Sequence, residues 1–211
     1  MLGNAPEWPL DSPMTRSASS GPSTLARVLT GPPGRLLIPS AAFAGLLLTY
    51  GDSVPGSYFM TQIVGALLAL GVAVVWGPRF VVGLLRADGR PGLRRHWARW
   101  AAVPLVGATV FGLLWFDVPS SARFALSKAS MEQIAQRIAA GKEPASERRW
   151  AGLYQVSSIE RSDDGVIFYL EDAGFLDRYG FIWSPKARVY QDLETAYKHI
   201  EGPWYEWREW F

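Results

Sequence analysis

The sequence predicts a membrane protein: three transmembrane α-helices followed by a small extracytoplasmic α+β domain with an antiparallel sheet. Three observations predict it. Long uncharged apolar runs recur three times between residues 36 and 116. Arginines gather on one side of those runs. Beyond residue 117 the chain turns to short alternating stretches separated by turn residues. The charge divides at the same place: residues 1–116 carry nine basic and four acidic residues, and residues 117–211 carry twelve basic and fifteen acidic. A uniformly basic surface for nucleic acid is therefore not expected.

Residues 1–34 hold NAPEWPLDSPMTRSASSGPS and TGPPG, rich in Pro, Ser and Gly and without apolar period. The expectation is a disordered cytoplasmic tail, with a short interfacial turn over Arg27–Thr30. The membrane region is expected over 35–117, with spans at about 36–51 (LLIPSAAFAGLLLTYG), 58–78 (YFMTQIVGALLALGVAVVWGP) and 100–116 (WAAVPLVGATVFGLLWF). A helix needs about 20 apolar residues to cross the hydrocarbon core, and about 17 is the lower edge. The second run meets this, the third is marginal, and the first is short unless Arg35 snorkels at its start. Pro39 and Pro104 are expected to loosen their helices, and Gly77-Pro78 to end the second, leaving Phe80–Leu85 as a short interfacial helix.

Arginine sets the orientation. DSVPGS, between the first two runs, has no basic residue, whereas the segment after the second run has Arg79, Arg86, Arg90, Arg94, Arg95 and Arg99. The positive-inside rule puts the N-terminus and that segment in the cytoplasm and residues 118–211 outside. Trp76, Trp97 and Trp100 then mark the inner interface, and Tyr50, Tyr58 and Trp115 the outer one.

The spans contain no Asp, Glu, Lys, Arg or His. Ion and proton pathways usually carry such groups, so a pump or proton-coupled transporter is not expected. Thr61, Gly65, Ala69, Ala73 and Gly77 recur every fourth residue in the second span. Gly65, Ala69 and Ala73 are the candidate helix-packing residues, with Ala41, Gly45, Ala108 and Gly112 in the other spans.

In the outer domain, SKASMEQIAQRIAAGK predicts a helix over 129–140. Met131, Ile134 and Ile138 form its apolar face, Ser130 is the expected cap and Gly141 the stop. KEPASER reads as a polar linker, with Glu147, Arg148 and Arg149 a solvated charge run. AGLYQVSSIERSDDGVIFYLED reads as a hairpin turning at Asp163-Asp164-Gly165, with Tyr154, Val156 and Ser158 on one face. RYGFIWSP is a third strand, and TAYKHIEGPWYEWREW a second hairpin about Glu201-Gly202-Pro203. In the last strand Tyr205, Trp207, Glu209 and Phe211 share one face, and Trp204, Glu206, Arg208 and Trp210 the other. One face is expected to pack on the helix, leaving Trp204 and Trp210 partly exposed. Trp204, Tyr205, Trp207 and Trp210 are therefore the candidate interaction residues.

The order RFALSKASMEQIAQRI, GLYQVSSIER, GFLDRYGFIWSP and YKHIEGPWYEW resembles the outer portion of uncharacterised small three-span membrane proteins of high-GC Gram-positive bacteria. The likeness covers about residues 117–211 and, more loosely, the spans. It implies a membrane-anchored α+β domain and no known activity.

Motifs for chemistry are not found. The chain has no cysteine and two histidines, His96 and His199. It lacks G-x-S-x-G, H-E-x-x-H, a P-loop and a dinucleotide fingerprint. No catalytic residue, metal ligand or cofactor is assigned. Glu171, Asp172 and Asp177 cluster in sequence, as calcium ligands or an acid pair would, but without EF-hand spacing. The expected role is a membrane-anchored, non-enzymatic interaction or accessory module of the cell envelope. Its partners would be the lipid bilayer and an envelope protein or a second copy. The alternatives are an accessory subunit of a channel or transporter, and an envelope hydrolase using His199 or the carboxylates.

Overall fold

A computed structural model describes residues 36–85, 90–144, 146–186 and 195–210. The tail over 1–34, with its expected disorder and its Arg27–Thr30 turn, lies outside the described residues, as do Arg86 and Phe211. Among the described residues, two helices are long and apolar enough to cross a membrane. Helix α1 spans Leu37–Gly51, α2 Phe59–Leu85, α3 Arg90–Arg95, α4 Trp97–Trp115 and α5 Val118–Ala139. The two that qualify are α2 and α4, while α1 has 15 residues.

Helix α1 packs on both α2 and α4. The glycines explain how closely. A methyl group at Gly45 would lie 2.7 Å from Val110 of α4, and one at Gly65 would lie 3.1 Å from Leu48 of α1. Gly65 is thus buried against Leu47 and Leu48 of α1. Ala69 is only half-buried and Ala73 exposed, on an apolar groove between α2 and α4 that is floored by Ala41 and Ala44. Gly77 and Gly112 face open space and Ala108 is exposed, so α4 meets α1 through Val106 and Val110 rather than through a small-residue stripe.

The expected break at Gly77-Pro78 is absent. Helix α2 runs through Pro78 to Leu85, with the Trp76 and Phe80 rings stacked at 4.8 Å across the proline. Phe80 also meets Trp100 of α4 at 5.8 Å, which ties this end together. Pro39 sits in the first turn of α1, where no intrahelical donor is lost. Pro104 lies inside α4.

Helix α5 begins at Val118, not at 129, because Pro119 starts a helix without losing a hydrogen bond. Ser130 is therefore mid-helix. The cap position belongs to Asp117, at φ 50° and without a side-chain cap bond. The far end is a Schellman motif: the Gly141 N–H donates to the Ile138 carbonyl at 3.0 Å, and the Lys142 N–H to the Arg137 carbonyl at 2.9 Å.

Among the described residues, six strands form one antiparallel sheet in the order β1-β2-β3-β4-β6-β5. They are β1 Ser146–Ala151, β2 Tyr154–Ser162, β3 Gly165–Leu170, β4 Arg178–Trp183, β5 Thr195–Glu201 and β6 Trp204–Glu209. The last three residues of the expected linker, 146–148, open strand β1, and the charge run is paired there: Arg148 with Glu171, Arg149 with Glu143. Ser157 is a bulge in β2, so Ile159 rather than Ser158 continues the buried face after Tyr154 and Val156.

The core lies between this sheet and α5. Phe124, Met131, Ile134, Ala135 and Ile138 of the helix meet Tyr154, Val156, Ile159, Val166, Phe168, Phe181 and Trp204 of the sheet. Two core residues come from loops: Ala173, between β3 and β4, and Val54, in the α1–α2 loop. The loop that connects two apolar helices is therefore part of the domain's interior.

Candidate functional site

The place where helices and sheet domain meet is organised by Arg123. Its position on the second turn of α5 aims it at three elements at once. Nη1 donates to Ser53 Oγ at 2.7 Å, and Nη2 to the Leu153 carbonyl at 2.7 Å and to the Tyr58 hydroxyl at 3.3 Å. Its guanidinium lies 4.8 Å from the ring centre of Tyr154, 5.6 Å from Tyr58 and 5.7 Å from Tyr50. No carboxylate pairs with it among the described residues. Aromatic faces and neutral oxygens stabilise a guanidinium by cation–π attraction and hydrogen bonds, and here they stand in for a counterion.

The partners are themselves held. Ser127, one turn further along α5, accepts the Leu153 N–H at 3.0 Å and donates to the Arg123 carbonyl at 2.8 Å. That pins the Gly152-Leu153 turn between β1 and β2 onto the helix. On the other flank the Gly174 N–H donates to the Ser57 carbonyl at 2.8 Å, and Phe175 meets Phe59 at 4.4 Å between ring centres. Two loops of the sheet thus grip the α1–α2 connection. Burial raises the Tyr154 hydroxyl far above its ordinary pKa, against the pull of Arg123. Tyr154 therefore stays neutral beside the cation.

Beside Arg123 runs a groove of about 520 Å³, lined by Leu46, Thr49 and Tyr50 of α1 together with Pro119, Trp150 and Leu153. Trp150 is 64% exposed in spite of its size. The groove has an apolar wall from each side of the junction and a cation in it.

The residues singled out in the sequence divide. Trp204 is fully buried, against the expectation of exposure. It faces α5, in contact with Phe124 at 5.8 Å and Phe168 at 5.7 Å between ring centres. Trp207 is also buried, on the opposite face of the sheet, edge-on to Tyr169. Tyr205 is half-buried and Trp210 is 38% exposed, beneath the Arg208 guanidinium at 5.0 Å.

The residues for chemistry do not converge. His199 is exposed, with Nε2 3.1 Å from the Gly202 carbonyl. Ser120 and Ser121 line the same small cleft, but Ser120 Oγ donates to the Asp117 carbonyl and neither serine bonds the imidazole. Asp177 takes Nε and Nη2 of Arg208 at 2.9 and 2.6 Å, and Glu171 pairs with Arg148. Among the described residues no three acidic or histidine side chains gather as metal ligands.

Sequence reasoning missed Arg123. Starting α5 at 129 left it in an unassigned segment. Tyr50 and Tyr58 were read as membrane-interface markers rather than as its partners. The chain matches no protein-family model, no curated protein and no solved structure.

Proposed function

We propose that α1, α2 and α4 are three membrane spans that anchor α5 and the sheet outside the cytoplasmic membrane, where the domain acts as a non-enzymatic interaction or accessory module of the cell envelope. The observation that carries this reading is exposure. In the most apolar stretches of α2 and α4, 11% and 6% of residues are buried. Leu67, Leu70 and Val74 of α2 and Leu105 and Phe111 of α4 project away from the protein. A core helix of a water-soluble domain buries such residues; a helix solvated by lipid does not need to.

Two further features support it. The α1–α2 loop packs into the domain that follows α4, so both lie at the same end of the helices, as three alternating spans require. The arginines at 79, 90, 94, 95 and 99 belong to the other end, beside the Trp76–Phe80–Trp100 cluster, as the positive-inside rule asks. The interaction role rests on there being no convergent reacting set among the described residues, with Glu171 and Asp177 already bound to arginines.

The cysteine-free chain makes the test direct. Single cysteines replace Asp163 in the β2–β3 turn, Arg94 in α3 and Leu70 in α2, and a membrane-impermeant maleimide is added to intact cells. D163C should react at once, R94C only after permeabilisation, and L70C in neither case. Fast labelling of R94C in intact cells would invert the orientation, and ready labelling of L70C would remove the membrane reading. Photo-crosslinking from Trp210 then tests for the envelope partner.

A further inference from the structure

Resting on that membrane reading, we infer that the Arg123 groove is a phospholipid site: it holds the phosphate of an outer-leaflet lipid on the guanidinium and an acyl chain along Leu46, Trp150 and Leu153. The argument starts from depth. Helix α1 has 15 residues, about 22 Å at 1.5 Å per residue, against a hydrocarbon core of about 30 Å. Its domain-facing end therefore cannot stand clear of the bilayer by itself. Leu46 lies five residues before the end of α1, and it lines one groove with Trp150 and Leu153. The tip of the β1–β2 hairpin is thus held at the level of the last turns of a helix already too short to span alone. A short helix is accommodated when the bilayer thins or flanking groups cover the deficit. An exposed Trp with an exposed Leu at that level suits the boundary between head groups and acyl chains.

The second observation is a cation that pairs with no carboxylate among the described residues. The three hydrogen bonds of Arg123 use at most three of the five guanidinium donors, and Nε–H makes none of them. The donors left free, Nε–H and one Nη1–H, lie on different edges, so a phosphate oxygen takes one of them in a single charge-assisted bond. The groove supplies no carboxylate to compete, while Thr49 and Tyr50 lie on its rim. The groove thus joins a cation, hydroxyl groups and an apolar wall, the three chemistries that match a phospholipid's phosphate, ester region and chain.

The test uses the full chain, purified in mild detergent, stripped of lipid and examined by native mass spectrometry. The probes are phosphatidylglycerol and a diacylglycerol with the same chains and no phosphate. The wild type should retain phosphatidylglycerol and not the diacylglycerol. Arg123→Gln should weaken retention at least about tenfold, the loss expected for one hydrogen-bonded ion contact. Because Arg123 also braces the junction, Leu153→Glu is the second variant. It keeps the Arg123 bond to the residue 153 carbonyl and places a carboxylate beside the guanidinium, and it should abolish retention in a folded domain. Arg161→Gln, on the exposed part of β2, should change nothing. Equal retention by the wild type and Leu153→Glu, or equal retention of the two probes, overturns the site. A spin label at L70C in vesicles separates the two ideas. Collision with oxygen there, together with lipid retention that ignores Arg123 and Leu153, leaves the membrane reading and removes this one. Collision with a water-soluble nickel chelate removes both.

Discussion

Tyr169 of β3 and Trp207 of β6 meet edge to face with ring centres 4.9 Å apart, although β4 runs between their strands. The contact exists because the residue between them is Gly180, which pairs with Tyr169 on one side and with Trp207 on the other. Without a side chain at 180, the two rings close over the backbone. A Cβ there would also collide with the Phe168 carbonyl.

Gly180 is therefore predicted to tolerate no side chain. Gly180→Ala forces the backbone off the Phe168 carbonyl and parts the rings. Overpacking costs about 1–3 kcal/mol and an aromatic pair contributes about 0.5–1.5 kcal/mol, so a loss of about 2 kcal/mol or more is expected. Thermal unfolding of the detergent-solubilised chain measures it. A value below about 0.5 kcal/mol would show that the contact carries nothing.

The two tryptophans expected to be alike should behave oppositely. Trp204 is fully buried against α5, so Trp204→Ala should cost about 3–5 kcal/mol, the usual penalty for emptying a large aromatic site. Trp210, at the end of the sheet and 38% exposed, should cost about 1 kcal/mol or less, chiefly its contact with Arg208. The same melting experiment on both variants decides, and equal losses would contradict the placement of β6.

How far the sequence carried depends on which signal each element gave. Apolar runs and alternation were enough for α1, α2, α4, the second half of α5 and β2 to β6, and not for α3 or the first eleven residues of α5. Strand β1 was hidden by its own composition: Glu147, Arg148 and Arg149 look like a solvated run, and only the pairing of Arg148 with Glu171 and of Arg149 with Glu143 reveals otherwise. Alternation in β6 gave the two faces and not which one meets α5, since Trp occupies both. The Arg123 junction was illegible for a different reason. Its partners lie 70, 65 and 30 residues away along the chain, and no local pattern marks a lone arginine as the meeting point of two loops and a helix.

Two titrations should be visible at the extremes of pH. Burial first, and then the charge of Glu160, push Tyr169 up to about 12 from 10.0. In the unfolded chain the phenol ionises near the ordinary value while the folded one stays neutral. Its contribution to stability is thus intact below pH 10 and lost as pH climbs towards 12. Tyr169→Phe should lessen that alkaline loss in a pH series of melting temperatures, the remainder coming from Tyr154 and the other tyrosines raised by burial. At the acid end the hydrogen bond from Arg149 holds Glu143 below its ordinary 4.5. That contribution is present above 4.5 and disappears as pH falls through the lowered value. Glu143→Gln should remove this acid dependence and leave the alkaline limb untouched. If Glu143→Gln moved the alkaline limb as well, the two groups would not be independent.

The end of α5 gives a prediction about backbone rather than side chains. Gly141 sits at φ 67°, with open space where a Cβ would be. Any loss on substitution there comes from conformation alone, since nothing is displaced. An L-residue in the left-handed region costs about 1–2 kcal/mol, and asparagine is the side chain that bears it best. Gly141→Ala should therefore lower stability by about 1 kcal/mol, and Gly141→Asn by clearly less, although asparagine is the larger residue. The order matters because a steric cause would reverse it. The position also matters because Lys142 closes the motif onto Arg137, and the next residue, Glu143, holds Arg149 of β1. A chain that leaves α5 at another angle would misplace β1 and with it Trp150. Melting curves of the two variants set the order. Label accessibility at residue 150 shows whether the hairpin has moved.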